Sequence, residues 1–405
     1  MFVEIHMLQN FAPSNLNRDD TNSPKECEFG GYRRARISSQ CLKRSIRQHF
    51  EKEGLLPPDD LGVRTKRIVA ELAGRLAKQG KDATVALSVA TAALAAVEVK
   101  LDEEGQTQYL LFAGEREIAR LVDICLRHWD ALAEIAPAVP DSQEGSKPTR
   151  SSRDAKKIAK AAVPKEVQSA VRDALDGGKA ADVALFGRML ADLPDRNIDA
   201  ACQVAHALST NKVSIEFDFF SAVDDLQGRE QTGAGMLGTV EFNSACFYRY
   251  ANIDLDQLTT NLGKDEALSR QAVRAFLISS IAAVPTGKQN SMAAHNPPSF
   301  VMGVVRTTGL WSLANAFIKP IRPDRESEDR AELGQDLMQN SILALESHWT
   351  KLSRMYGRQQ LRGTWYASLE DGTSEGFAES RLEGVEELVD HVLAVAYPAQ
   401  AGAAQ

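Results

Sequence analysis

FGGYRRARISSQCLKRSIRQHF, residues Phe29–Phe50, sets the reading of both fold and function. It contains Arg33, Arg34, Arg36, Lys43, Arg44 and Arg47 and no acidic residue, in a chain whose formal net charge is −8. A local cationic run in an acidic protein points to an anionic partner. Gly30–Gly31 predicts a turn. Ser38 or Ser39 is placed to cap a helix over Cys41–Phe50, with Leu42, Ile46 and Phe50 on its buried side. Lys43 and Arg47, four apart, share a face, with Arg44 beside them. The free amides and positive dipole end of the helix start, flanked by these cations, suit a phosphate or a run of phosphates. The competing reading is a solvated basic helix face.

On the N-terminal side, FVEIHML (Phe2–Leu8) alternates Val3, Ile5 and Met7 against Glu4 and His6 and predicts a strand. Residues 9–31 read as a polar loop with Pro13, Asn15, Asn17, Asp19, Asp20, Asn22 and Pro24 as turn formers. On the C-terminal side, residues 55–180 are rich in Ala, Lys, Arg and Glu. Their helical apolar spacing (Ile68, Leu72, Leu76; Ile118, Leu121, Val122, Cys125) predicts an inserted helical domain. It carries a second basic cluster, Lys147 to Lys165, in which Lys156, Lys157 and Lys160 stand out; a solvated helix is the competing reading.

Asp182–Leu190 predicts a strand ending in a Gly-Arg-Met turn, and Asn197–Leu208 a helix. Val213–Phe219 and Thr239–Ala251 alternate as an antiparallel strand pair. The connection Phe220–Gly238, with Gly228, Gly233, Gly235 and Gly238, far exceeds a tight hairpin loop. It predicts either a protruding β-arm tipped by Met236 and Leu237 or an unstructured surface loop. Asp265–Ala282 reads as a helix, Pro285–Pro298 as a turn-rich loop holding Lys288 and Gln289, and Ser299–Arg306 as a strand. A helix begins at Trp311–Phe317, and residues 324–405 are helical in pattern and more acidic. Without the insertions the order is strand, helix, strand, strand, helix, strand. That is an α+β, ferredoxin-like (RRM-like) arrangement. The aromatic RNP1 pattern is missing, so base stacking on the sheet face is not expected.

Composition is that of an ordinary globular protein, 43% hydrophobic and 25% charged over 405 residues. No apolar run reaches the roughly 20 residues of a membrane span, and no signal-peptide pattern opens the chain. The cysteines (27, 41, 125, 202, 246) are widely spaced without a CxxC, which predicts a reducing cytoplasm and neither a disulfide framework nor a thiolate zinc site. Phosphate-loop and dinucleotide signatures are missing, and the histidines have no metal spacing. The loop pairs Asp19–Asp20 and Asp224–Asp225 could serve a metal-dependent nuclease, but turn formation explains them as well. No catalytic residue, metal or cofactor is expected.

The strings IHMLQNFAPSNLNRDD, FGGYRRARISSQCLKRSIR, ALFGRM, VAHALSTNKVSIEFDFFSAVDDL, GTVEFNSACFYRYANI and VPTGKQNSMAAHNP resemble the backbone subunit of the type I-E CRISPR Cascade complex, the CasC/Cse-type RAMP-like family. The resemblance implies a hand: a palm from residues 1–54, 181–219 and 239–323, helical fingers from 55–180, and a β-arm thumb from 220–238. Residues 324–405 form a C-terminal helical segment. It implies copies stacked head to tail on CRISPR RNA, with target DNA pairing between kinks and other Cascade subunits as partners. The implied RNA contacts are Arg18, Ser38, Gln40, Lys43, Arg44, Arg47, Lys288 and Gln289, with Arg33, Arg34 and Arg36 nearby. Met189 would wedge at the kink, and Phe219, Phe220, Met236 and Leu237 would form the thumb. Lys156, Lys157 and Lys160 would face target DNA. Two other readings stand beside it: a metal-dependent target-RNA endoribonuclease of a type III-like complex, and a generic RRM-like RNA-binding protein.

Overall fold

A computed structural model describes residues 1–97, 99–102, 104–135, 163–222, 236–322, 336–370 and 381–398. Its elements run β1 (Phe2–Ser14), β2 (Glu26–Phe29), β3 (Tyr32–Ile37), α1 (Ser39–Lys52), β4 (Gly62–Thr65), α2 (Ile68–Lys78), α3 (Ala83–Ala95), β5 (Leu111–Gly114), α4 (Glu115–Arg127), α5 (Trp129–Ile135), α6 (Lys165–Ala174) and α7 (Ala181–Phe186). They continue with β6 (Cys202–Val204), β7 (Ala207–Ser209), β8 (Glu216–Ala222), β9 (Met236–Asp254), α8 (Leu255–Asn261), α9 (Glu266–Ala282), α10 (Gln289–Met292), β10 (Phe300–Arg306), α11 (Leu337–Tyr356), β11 (Leu361–Ser368) and α12 (Val385–Ala396). The protein is mixed α+β. The chain divides into two compact units, one of residues 1–53, 202–255 and 273–405, the other of 54–201 and 256–272. No helix among the described residues is long and apolar enough to cross a membrane.

The first unit is built on a nine-stranded sheet ordered β11-β10-β1-β9-β7-β3-β2, with β6 and β8 also pairing with β9. Its central strands β10, β1, β9 and β7 are antiparallel neighbours. Alternation decides what each face buries. Odd positions of β1 and β9, such as Phe11, Ala245 and Phe247, pack with Leu42 of α1. Even positions, Leu8, Tyr248 and Tyr250, pack under Leu313, Phe317 and α11 residues Ile342, Leu345 and Trp349. Gly303 of β10 admits Leu388 and Val392 of α12, since a Cβ there would sit 2.6 Å from Val392 Cγ2. The sheet is therefore covered on both sides.

The second unit is helical, around Ile68, Leu72, Leu76, Ile118, Leu121, Val122 and Cys125, all buried as their spacing predicts. A two-stranded sheet, β4 with β5, closes it.

Several elements differ from expectation. Within the expected loop 9–31, residues 9–14 extend β1 and Glu26–Phe29 form β2, which pairs with β3 across the Gly30–Gly31 turn. The strand predicted over Asp182–Leu190 is helix α7; a short apolar run cannot be told from a buried helix by periodicity. The helix predicted over Asn197–Leu208 is the strands β6 and β7. β8 begins at Glu216 and pairs with β9 as expected, but its Phe217 and Phe219 are exposed. Trp311–Phe317 holds one 3-10 turn, and the C-terminal segment contributes a sheet strand, β11, beside β10.

Candidate nucleic-acid interface

The cationic stretch folds as a hairpin followed by a helix. Gly30 and Gly31 take φ of 61° and 79°, which makes the two-residue turn between β2 and β3. Ser38 caps α1, its hydroxyl accepting from the Cys41 amide at 3.3 Å, and Leu42, Ile46 and Phe50 are buried as predicted. Gln40 and Arg44 are exposed on α1, and Lys43 and Arg47 are half-buried beside them.

The three arginines of β3 have three different fates. Arg34 is fully buried: its guanidinium donates to the carbonyls of Ser209 and Thr210, both at 2.8 Å, and Phe317 at 2.6 Å. It also lies over the Phe29 ring. It ties β3 to the segments after β7 and before α11, and so, unlike the expectation, it is not available to RNA. Arg33 is exposed and pairs with Glu26 across the hairpin at 3.1 Å. Arg36 donates to the Glu26 carbonyl at 3.3 Å and lies 3.0 Å from His206 Nδ1. Burial, then the Arg36 and Lys25 charges, hold the His206 pKa down, so a neutral ring accepts that bond.

Asparagines the sequence presents as turn formers act as clips. Asn15 donates to the carbonyls of Asn22 and Glu241, both at 2.9 Å, and Asn17 Oδ1 accepts from the Ser38 amide at 2.8 Å. Gly287 packs so closely that a Cβ would lie 2.4 Å from the Leu16 carbonyl oxygen. Exposed Arg18 and half-buried Lys288 thus emerge from touching loops, at the end of β1 next to the start of α1. Gln289 is different: its amide donates to Pro285 and Ala294 carbonyls at 3.0 and 3.2 Å, holding the loop that presents Lys288. Asp19 accepts from the Thr21 amide and hydroxyl and the Ser23 amide. Those bonds, the Thr21 hydroxyl first, lower its pKa. Among the described residues no group of three or more His, Cys, Asp and Glu could hold a metal ion.

β8 and β9 form the arm. Register places Asp218 and Phe220 on the same face as Val240 and Phe242. With Pro13 and Lys288 they line a cleft of about 570 Å³. The Phe220 ring covers Gly238, where a Cβ would meet it at 2.3 Å. Phe217 and Phe219 point the other way, 60% and 81% exposed. Met236 and Leu237 lie on β9 opposite Ala222 and Ser221.

In the second unit Met189 is 76% exposed. Its neighbour Arg188 explains why. Arg188 is buried against Glu117 at 2.9 Å and donates to the carbonyls of Leu175 and Arg196, both at 3.1 Å. Glu117 also accepts from the amides of Gly114 and Gly177. Anchored so, Arg188 turns Met189 outward. Sequence reading noticed the Gly-Arg-Met turn but not this anchor; a lone arginine in an apolar run was the available signal. Lys156, Lys157 and Lys160 lie outside the described residues.

The covered sheet with a basic, loop-built end and an aromatic arm is that of a mixed α+β protein. Residues 3–393 match the model of the CT1975-like protein family, and the chain belongs to that family. Among solved structures, a chain of a CRISPR RNA-guided surveillance complex described as pre-nicking is 32% identical, with a TM-score of 0.77 over 98% of this chain and 100% of that one. A chain of another CRISPR RNA-guided surveillance complex is 27% identical, with a TM-score of 0.68 over 97% and 99%. No curated protein matches.

Proposed function

We propose that this protein is the non-catalytic backbone subunit of a type I-E CRISPR surveillance complex, cytoplasmic, and stacked head to tail along CRISPR RNA. The observation that carries the reading is the similarity to a surveillance-complex chain along 98% of this chain. The strand order β10-β1-β9-β7, with α1 and α9 as crossovers, supports a ferredoxin-like palm. On this reading the second palm strand is β6–β7 and β8 belongs to the thumb. Gln40, Lys43, Arg44, Arg47, Arg18 and Lys288 hold the RNA backbone; Ser38 and Gln289 build the sites that present them. Phe219, Phe220, Met236, Leu237 and Met189 serve the kinks, where apolar wedges offset a few kcal/mol of unstacking. Lys156, Lys157 and Lys160 meet target DNA, which is read by base pairing.

The engagement of Asp19 in turn hydrogen bonds favours this reading over a metal-dependent ribonuclease. Incubating the RNA-bound assembly with complementary RNA and Mg²⁺ or Mn²⁺ tests it. Intact target RNA is expected; cleavage lost in Asp19→Ala or Asp20→Ala would overturn the non-catalytic assignment.

A further inference from the structure

Between Glu346 and Glu370 the chain has no acidic residue, yet it holds Lys351, Arg354, Arg358 and Arg362. All four cations are exposed, and none makes an ion pair among the described residues. They surround the C-terminal end of α11 and the start of β11. Met355 and Tyr356 there are 75% and 62% exposed. Next to Tyr356 opens a cavity of about 210 Å³ lined by Trp311, Tyr356, Arg358 and Gln360. That is room for about seven waters, or for one planar ring.

The cavity has a rigid floor. Trp311 is held edge-on by Trp349 at 5.6 Å and lies over the Arg306 guanidinium at 4.2 Å. Arg306 is itself fixed by Glu4 at 2.6 Å and by the Gly309 carbonyl. Tyr356 completes the aromatic set, 6.2 Å from Trp311. Arg306 pairs with Phe2 and the cationic loops follow Ser14, so the two sites lie at opposite ends of β1. The length of β1, 13 residues at about 3.3 Å each, separates them.

We propose that this patch is a second, separate binding site for single-stranded nucleic acid. Arg354, Arg358 and Arg362 neutralise phosphates, Tyr356 stacks a base, and Gln360 faces the base edge in the cavity. Cations around an exposed aromatic ring are the chemistry that recognises single strands without sequence preference. An acidic protein surface would need the cations but neither the exposed ring nor the cavity.

The test uses the full chain carrying Lys43→Ala/Arg44→Ala/Arg47→Ala, which removes the competing α1 end, and a fluorescent 12-nucleotide single strand, as DNA and as RNA, with anisotropy read at several salt concentrations. Arg354→Ala/Arg358→Ala/Arg362→Ala is expected to lower the salt slope by about two, at roughly 0.7 per phosphate contact. The triple lysine variant should keep the slope. Tyr356→Ala should weaken binding about 5- to 100-fold with the slope unchanged. Photocrosslinking of an iodouracil-substituted strand should label residues 349–365. A duplex of the same sequence should bind more weakly, and the tighter of the two single strands names the natural ligand. The proposal falls if crosslinks appear only within 29–50 or 285–298, or if duplex binds as well as single strand. It falls equally if the triple alanine variant binds strands normally but changes the protein's self-association, which would assign the patch to a protein partner.

Discussion

Arg33 and Arg34 are neighbours in sequence, identical in charge and opposite in consequence. Removing the Arg34 side chain strands several buried carbonyls, so Arg34→Ala should destabilise the protein by about 3 kcal/mol or more. Arg33→Ala loses one largely exposed pair and should cost at most about 1 kcal/mol. Denaturant midpoints distinguish them. Charge was legible in the string RRAR; which arginine turned inward depended on recognising β2 and β3 on either side of Gly30–Gly31. His6 gives a pH prediction. It is fully buried, 2.9 Å from the Tyr248 hydroxyl, and burial, with the nearby Arg306 charge, lowers its pKa to about 3. Below the ordinary value of 6.5 the unfolded chain takes up a proton that the folded chain refuses. His6 therefore lowers stability progressively as pH falls from 6.5 towards 3, by about 2–3 kcal/mol at pH 4.5. Buried Glu4, whose pKa desolvation raises despite Arg306, acts in the opposite sense around and above its unfolded value of 4.5. His6→Gln should flatten the decline between pH 6.5 and 4.5 in denaturant midpoints; an unchanged slope would show that the ring already titrates normally.

At the scale of elements, the β2–β3 turn and the arm give separable tests. A Cβ at Gly30 would lie 2.1 Å from the Ile318 carbonyl oxygen, whereas one at Gly31 meets nothing within 4 Å. Gly31→Ala should cost about 1 kcal/mol, the left-handed conformation alone. Gly30→Ala should cost clearly more, because backbone must move. In the arm, Phe220→Ala should leave the thermal midpoint nearly unchanged yet abolish regular protection of bound RNA; unaltered footprint periodicity would refute the thumb assignment. The strands β1, β9 and β10 and the helices α1 and α9 were legible because alternation or 3.6-residue spacing ran long enough. Cys202–Ser209 was not, since two strands of three residues leave no period to read. ADVALF reads equally as strand or helix, and Gly187, at φ 77°, ends it as a helix.

For the whole molecule, what sequence could not show was long-range closure. Residues 324–405 looked only helical, yet they cover the even face of the sheet with α11, extend it with β11 and pack α12 on the other side. One clip that builds the cationic end joins residues 226 positions apart, Asn15 to Glu241. The cations themselves were visible; their support was not. If that end grips phosphates, Arg44→Ala and Arg47→Ala should weaken binding similarly for all spacer sequences and lower the salt slope by about 0.7 each. The central claim is assembly along RNA, and the most direct measurement is the mass of the purified protein with CRISPR RNAs of increasing length. Masses rising in steps of one 44.2 kDa subunit as the RNA lengthens are predicted. A particle whose protein mass does not change with RNA, or does not depend on its length, would contradict the account.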